Sequence, residues 1–167
     1  FTSILVCAVV HVFAQIPSPG AQPQKAIVLV GAIAHIGNGE VLENAAIGIE
    51  NGKITFIKPA GSVKLNPEEA DIIEVTGKHV YPGFISANNT LGITEVDAVR
   101  ASNDYAETGH FNPEVRAVTA FNTDSRISPT VRSNGVLITQ VTPRSGRICG
   151  TSSVMHLDGW NWEDAVM

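Results

Sequence analysis

The sequence predicts a β-rich α/β chain, in which a small β-sandwich leads into the opening strand–helix–strand unit of an α/β domain. Three observations carry this. Short β-branched runs separated by tight turns fill Ala26 to Ile85; helix-start signals occur only after them; and Val136 to Val141 is a continuous apolar run. Such a run suits a parallel strand covered on both faces, whereas a half-exposed strand alternates apolar and polar residues.

In chain order, the first feature is the apolar stretch Ile4 to Val10, followed by Val12-Phe13-Ala14 and then polar, Pro-rich sequence. Small or apolar residues at −3 and −1 before Gln15 suit a signal peptidase. The stretch is shorter than the roughly 20 residues that a membrane-spanning helix needs. Residues 1–14 are therefore expected to be a signal peptide, the alternative being a buried strand, and the protein is expected to be exported to the periplasm or the extracellular space. The sequence begins with Phe1 and lacks the basic start of such a signal, so truncation at this end is expected. Cys7 lies inside the apolar run and not after small residues at its end, so no stable membrane anchor is expected. Cys149 is then left alone in the mature chain, and a lone thiol suits a small buried hydrophobe better than a nucleophile.

Residues 15–25 contain Pro17, Pro19, Gly20 and Pro23 and read as a linker. The predicted strands follow: Ala26 to Ile36, ended by Gly37-Asn38-Gly39; Ala45 to Glu50 and Lys53 to Ile57 around Asn51-Gly52; Ile72 to Val75; and His79 to Ile85. Asn-Gly is a strong hairpin signal because both residues tolerate positive φ. Pro67-Glu68-Glu69 is expected to form a helical turn. Asn112-Pro113-Glu114 combines a capping side chain, a proline at the first helical position and an acid facing the helix dipole, and predicts a helix to about Phe121. Ser128-Pro129 predicts a shorter helix that Asn134-Gly135 ends. Asn161 and the acids Glu163 and Asp164 start a further helix near Met167, where a second truncation is expected.

The composition bounds the function. The 167 residues are 44% hydrophobic and 16% charged, which fits a folded domain and excludes a disordered chain. The net charge of −5 and the scattered Lys and Arg leave no basic patch, so no nucleic-acid partner is expected.

Three stretches carry a family resemblance: Ile47-Gly48-Ile49-Glu50-Asn51-Gly52-Lys53-Ile54, then Val75 to Ile85 with its Tyr81-Pro82-Gly83-Phe84-Ile85 end, then Gly135 to Pro143. Over about residues 26 to 158 the chain resembles the metal-dependent amidohydrolase superfamily, of the imidazolonepropionase and dihydroorotase kind. The resemblance implies a composite β-sandwich at residues 26–79 and the start of a (β/α)₈ TIM barrel at 80–167. It implies hydrolysis of carbon–nitrogen bonds other than peptide bonds in a small-molecule substrate. It also implies an acid and then two alternating His after the Pro-Gly-Phe-Ile segment, where alternation on a strand would aim both imidazoles at one divalent metal.

At those positions the chain reads Ser86-Ala87-Asn88-Asn89-Thr90, so Asn88 and Thr90 stand where the two His are expected. Amide and hydroxyl oxygens are poor ligands for a zinc-like ion. No metal site is therefore expected in this chain. A single divalent metal, if the family mechanism holds, would be bound by residues outside it. Among His11, His35, His79, His110 and His156 no pair has ligand spacing, and His35 and His79 read as satisfied structural groups in the sandwich strands. The substrate-mouth candidates are Asn88, Thr90, Gln140, Arg144 and Arg147. Asn103 to His110 reads either as a functional loop or as a solvated connection, and Pro143 to Ser153 either as an anion-binding loop or as a structural turn. No catalytic residue is assigned. The main expectation is a hydrolase; the alternative is a non-catalytic binding or partner subunit on the same fold. Assembly into a homo-oligomer is compatible with either.

Overall fold

The computed structural model describes residues 19–167; the predicted signal at 1–14 and the first part of the linker lie outside the described residues. Two sheets organise the rest. The first holds β1 (Ala26–His35), β2 (Val41–Glu50), β3 (Lys53–Pro59), β4 (Ala70–Glu74) and β5 (His79–Val80), in the order β3-β2-β1-β4 with β5 also on β1. The second holds β6 (Phe84–Asn89), β7 (Val136–Val141) and β8 (Ser153–His156). The helices are α1 (Ile127–Ser133) and α2 (Trp162–Ala165), with short 3₁₀ turns at Ala60–Ser62, Arg100–Ser102 and Ala117–Ala120.

The Asn51-Gly52 hairpin forms as expected. Both residues have positive φ, 51° and 72°, and Glu50 pairs with Lys53 across the turn. β1 pairs antiparallel with β2 on one side and parallel with β4 and β5 on the other. Because β1 is paired on both edges, all five strands join one sheet. The strands expected to form a sandwich at residues 26–79 are joined in one sheet and not in two packed layers. Gly31, at φ 82°, sits at the register shift between Val30 and Ala32, and a side chain there would collide with Thr76. The bulge breaks strict alternation, so the apolar set Ala32, Ala34, Ala45 and Ile47 closes into its own small core.

The predicted strand His79 to Ile85 is two strands in two sheets. Tyr81-Pro82-Gly83 separates β5 from β6, since proline has no N–H for a ladder. Pro67-Glu68-Glu69 forms the expected turn, with the Ala70 N–H donating to the Asn66 carbonyl at 3.1 Å. The helix predicted from Asn112 to Phe121 does not form. Arg116 is extended (φ −125°, ψ 119°) because the N–H of Thr151 donates to the Val115 carbonyl at 2.8 Å and that of Ala117 to the Thr151 carbonyl at 3.0 Å. Long-range pairing with Thr151 overrides the local start signal, and only the 3₁₀ turn at Ala117–Ala120 survives.

α1 and β7 form close to expectation. Asn134 and Gly135 (φ 90°) end the helix, and the next residue opens the strand. β6 and β7 run parallel with α1 in the connection, which is the predicted strand–helix–strand unit. The expected barrel start goes no further than this one parallel step, because β8 turns back antiparallel to β7. A second core forms around Ile93, Val118, Phe121, Val141, Met155, Leu157 and Ala165. α2 is one turn, capped as expected by Asn161, whose Oδ1 accepts from the Asp164 N–H at 2.8 Å. No helix among the described residues is long and apolar enough to cross a membrane.

Candidate functional site

The site candidates gather where β6 and β7 end. In barrel folds the loops after the parallel strands carry the chemistry, since their side chains project beyond the sheet. Here β6 stops through a local irregularity. The pairing jumps from Ser86↔Thr139 to Asn89↔Val141, and Asn88 takes up the extra length at φ 53°.

This irregularity falls at the positions where the resemblance implies two alternating His. Strict alternation would put both on one face, but a left-handed residue at 88 breaks it. Asn88 is exposed and contributes its carbonyl, which accepts from Arg144 Nη2 at 3.0 Å. Thr90 is half-buried in a turn closed by the Ile93 N–H on the Thr90 carbonyl at 3.1 Å.

The side chain that organises the strand end is Asn89, which the sequence reading passed over. Its Nδ2 donates to the Ser86 carbonyl and Ser86 Oγ, both at 2.9 Å, and its Oδ1 accepts from the Leu91 N–H at 2.9 Å. Across the sheet the Thr139 hydroxyl lies 2.8 Å from Asn89 Nδ2 and 2.9 Å from its Oδ1. Thr139 is fully buried, so its hydroxyl depends on these protein partners. The one available signal was Thr139 itself, a hydroxyl in the middle of a mainly apolar strand. Its partner could not be read from the sequence.

Arg144 is the second organiser. Besides the guanidinium contact to Asn88, its backbone N–H donates to the Tyr105 carbonyl at 2.6 Å. Ser145 Oγ accepts from the Glu107 N–H at 3.3 Å, and the N–H groups of Arg147 and Ile148 both donate to the His110 carbonyl, at 2.8 and 3.0 Å. The two loops singled out from the sequence, 103–110 and 143–153, are therefore fastened to each other. Gly146 permits this: at φ 61°, an added Cβ would lie 2.7 Å from the His110 backbone. Arg147 is exposed and joins the seam through its backbone. Gln140 faces the returning strand, where its Nε2 donates to Ser152 Oγ at 3.1 Å. Asn88, Arg144 and the 103–110 loop thus come together, Arg147 adds its backbone to the seam between the loops, Gln140 serves the segment that folds back, and Thr90 stays in its own turn.

The donor set does not fit the metal that the superfamily resemblance implies. Asn89, Thr139 and Ser86 satisfy one another, and the left-handed backbone at Asn88 breaks the alternation that a shared strand face for residues 88 and 90 requires. Among the described residues no group of three or more His, Cys, Asp and Glu is arranged around a common point for a metal. An open cavity of about 270 Å³ lies elsewhere, over the first sheet between Val28, Ile49, Phe56, Leu65 and Ile72. Its mixed lining, with Glu50, Lys64, Asn66 and Glu69 beside the apolar residues, belongs to the first sheet and not to the ends of β6 and β7.

Comparison with known proteins agrees with this fold. No family model matches the chain. Over 51 residues it is 41% identical to imidazolonepropionase of Bacillus thuringiensis (strain Al Hakam) and 39% identical to that of Bacillus mycoides (strain KBAB4). In each case the match takes in 30% of this chain and 12% of the relative. The chain thus matches only a small part of those enzymes. The crystal structure of an amidohydrolase from Thermotoga maritima MSB8 superposes with a TM-score of 0.75 at 22% identity, covering 84% of this chain and 36% of that one. The local sequence likeness and the shared fold together support the metal-dependent amidohydrolase superfamily.

Proposed function

We propose that the chain is the N-terminal part of an exported hydrolase that opens carbon–nitrogen bonds, other than peptide bonds, in a small cyclic amide, imide or amine-like molecule. The observation that carries this reading is the polar junction beyond β6 and β7, where Arg144 ties Asn88 to the loop at Tyr105. Its place on an amidohydrolase-like fold corresponds to the mouth of a barrel. The Arg144 guanidinium is exposed there and uses Nη2 on a carbonyl, which leaves its other N–H groups to orient an anionic or carbonyl group of a substrate. The names of the sequence relatives point to the same class of chemistry.

The residues that activate water are placed outside this chain, as are the ligands of the single divalent metal that such a hydrolase would use. The partner is a small molecule, with neither nucleic acid nor a membrane anchor involved. A specific observation favours a second reading, a non-catalytic binding subunit: neutral Asn88 and Thr90 stand where the resemblance implies two His.

The test is turnover by the full-length protein on a panel of cyclic amides and imides, followed by release of the ring-opened acid. Hydrolysis is expected, with Arg144→Ala lowering kcat/KM by about 10²-fold, the scale on which misplacing a substrate costs rate. Tight binding of panel members without turnover would leave the binding-subunit reading standing instead.

A further inference from the structure

Two imidazoles that stand 44 residues apart in sequence meet on the first sheet, with His35 Nε2 2.9 Å from His79 Nδ1. The parallel register pairs Ile33 with His79, so His35, two residues on, lies diagonally across from His79 on the same face. Tyr81, two residues after His79, stacks on His35 with ring centroids 4.2 Å apart and planes 14° apart. His79 and Tyr81 are exposed and His35 is half-buried, so solvent ions reach the pair.

We propose that His35 and His79 form a binding site for a divalent cation of the nickel or copper kind. Imidazole nitrogens sit about 2.0–2.1 Å from such ions, so two of them at a right angle stand about 2.9 Å apart. Tetrahedral coordination, which zinc prefers, would spread them to about 3.3 Å. The observed separation is that of a hydrogen bond and puts both nitrogens within reach of one ion, and the choice of nickel or copper rests on the stronger hold of these ions on nitrogen ligands. Without metal, one ring donates its proton to the other. With metal, that proton moves to the other nitrogen of the donor ring, the ion takes its place, and each ring turns about its Cβ–Cγ bond to aim a lone pair at it. Water completes the coordination, since no third His, Cys, Asp or Glu is grouped with the pair among the described residues. Tyr81 limits the positions of the His35 ring, as partners that orient a ligand do in built metal sites. The site lies in the first sheet, apart from the junction beyond β6 and β7, and is independent of the hydrolase proposal.

Titration of Ni²⁺ into the full-length protein by calorimetry tests this, comparing parent and variants. His79→Asn and His35→Asn should each weaken one equivalent of binding by at least about tenfold, the range that even ligand-orienting partners command. His110→Asn combined with His156→Asn should leave that equivalent in place. His79 is exposed and stacks on His35 and Tyr81 outside the buried core, and unchanged circular dichroism checks the fold of both single variants. Unaltered Ni²⁺ binding in His79→Asn would overturn the proposal, as would its loss in the His110/His156 double variant.

Discussion

At the scale of single residues, Asn89 and Thr139 matter more than the neighbours picked out from the sequence. Asn89 joins the end of β6 to β7 by hydrogen bonds that have no solvent substitute on the Thr139 side, since Thr139 is 0% exposed. Thr139→Val keeps the shape and removes the hydroxyl. Because Asn89 keeps its bonds to Ser86 and Leu91, the expected cost is at the low end of the roughly 1–3 kcal/mol for a buried polar group left short of partners. Asn89→Ala strands several groups at once and should cost more, toward about 3 kcal/mol. Urea unfolding of the full-length protein measures both, and equal stabilities for parent and Asn89→Ala would remove Asn89 from its organising role. Asn89 was illegible in the sequence for a physical reason. A strand read by alternation makes 88 and 90 equivalent, and nothing local announces that Asn88 adopts a φ of 53°.

At the scale of elements, the parts set by local chemistry were legible. The Asn51-Gly52 turn, the Asn134-Gly135 helix end and the Asn161 cap all depend on residues within a few positions of one another. The parts set by distant pairing were not. The Asn112-Pro113-Glu114 start loses to the Val115–Ala117 bonds with Thr151, and the 143–153 segment returns as β8 only because β7 offers it an edge. Gly150 is central to that pairing. At φ 105°, it packs so closely on Val115 that an added Cβ would collide with the Val115 carbonyl. Gly150→Ala is predicted to destabilise by at least about 1–3 kcal/mol, the cost of holding a non-glycine residue in such a conformation. It should also speed amide exchange at Thr151 and Ala117, whose N–H groups make the bonds. Unchanged protection at both amides would show that the close approach does not hold the two segments together.

At the scale of the whole molecule, the chain exposes large apolar side chains on its edge strands. Ile54 is 63% exposed, Phe84 63% and Ile85 65%, on strands that among the described residues have a neighbour on one side only. Exposed apolar edge strands are sites of association. Residues 15–167 produced alone should therefore aggregate or self-associate, which size-exclusion chromatography reads directly; a monomeric, cooperatively melting species would contradict this. The same view bears on export. If the apolar run Ile4 to Val10 is a cleaved signal, N-terminal sequencing of the full-length product should find a start near Gln15, and an intact leader in the cytosol would refute it.

The account rests on the claim that the end of β6 is a self-satisfied polar junction and not half of a two-metal centre. Metal analysis of the full-length protein after gel filtration tests this most directly, because ions held weakly at the surface are lost in that step. The predicted result is at most one tightly held divalent ion per chain. Asn88→His with Thr90→His should add none, since the left-handed residue at 88 breaks the alternation that a common face requires. Two equivalents of tightly held zinc in the parent protein would contradict the account.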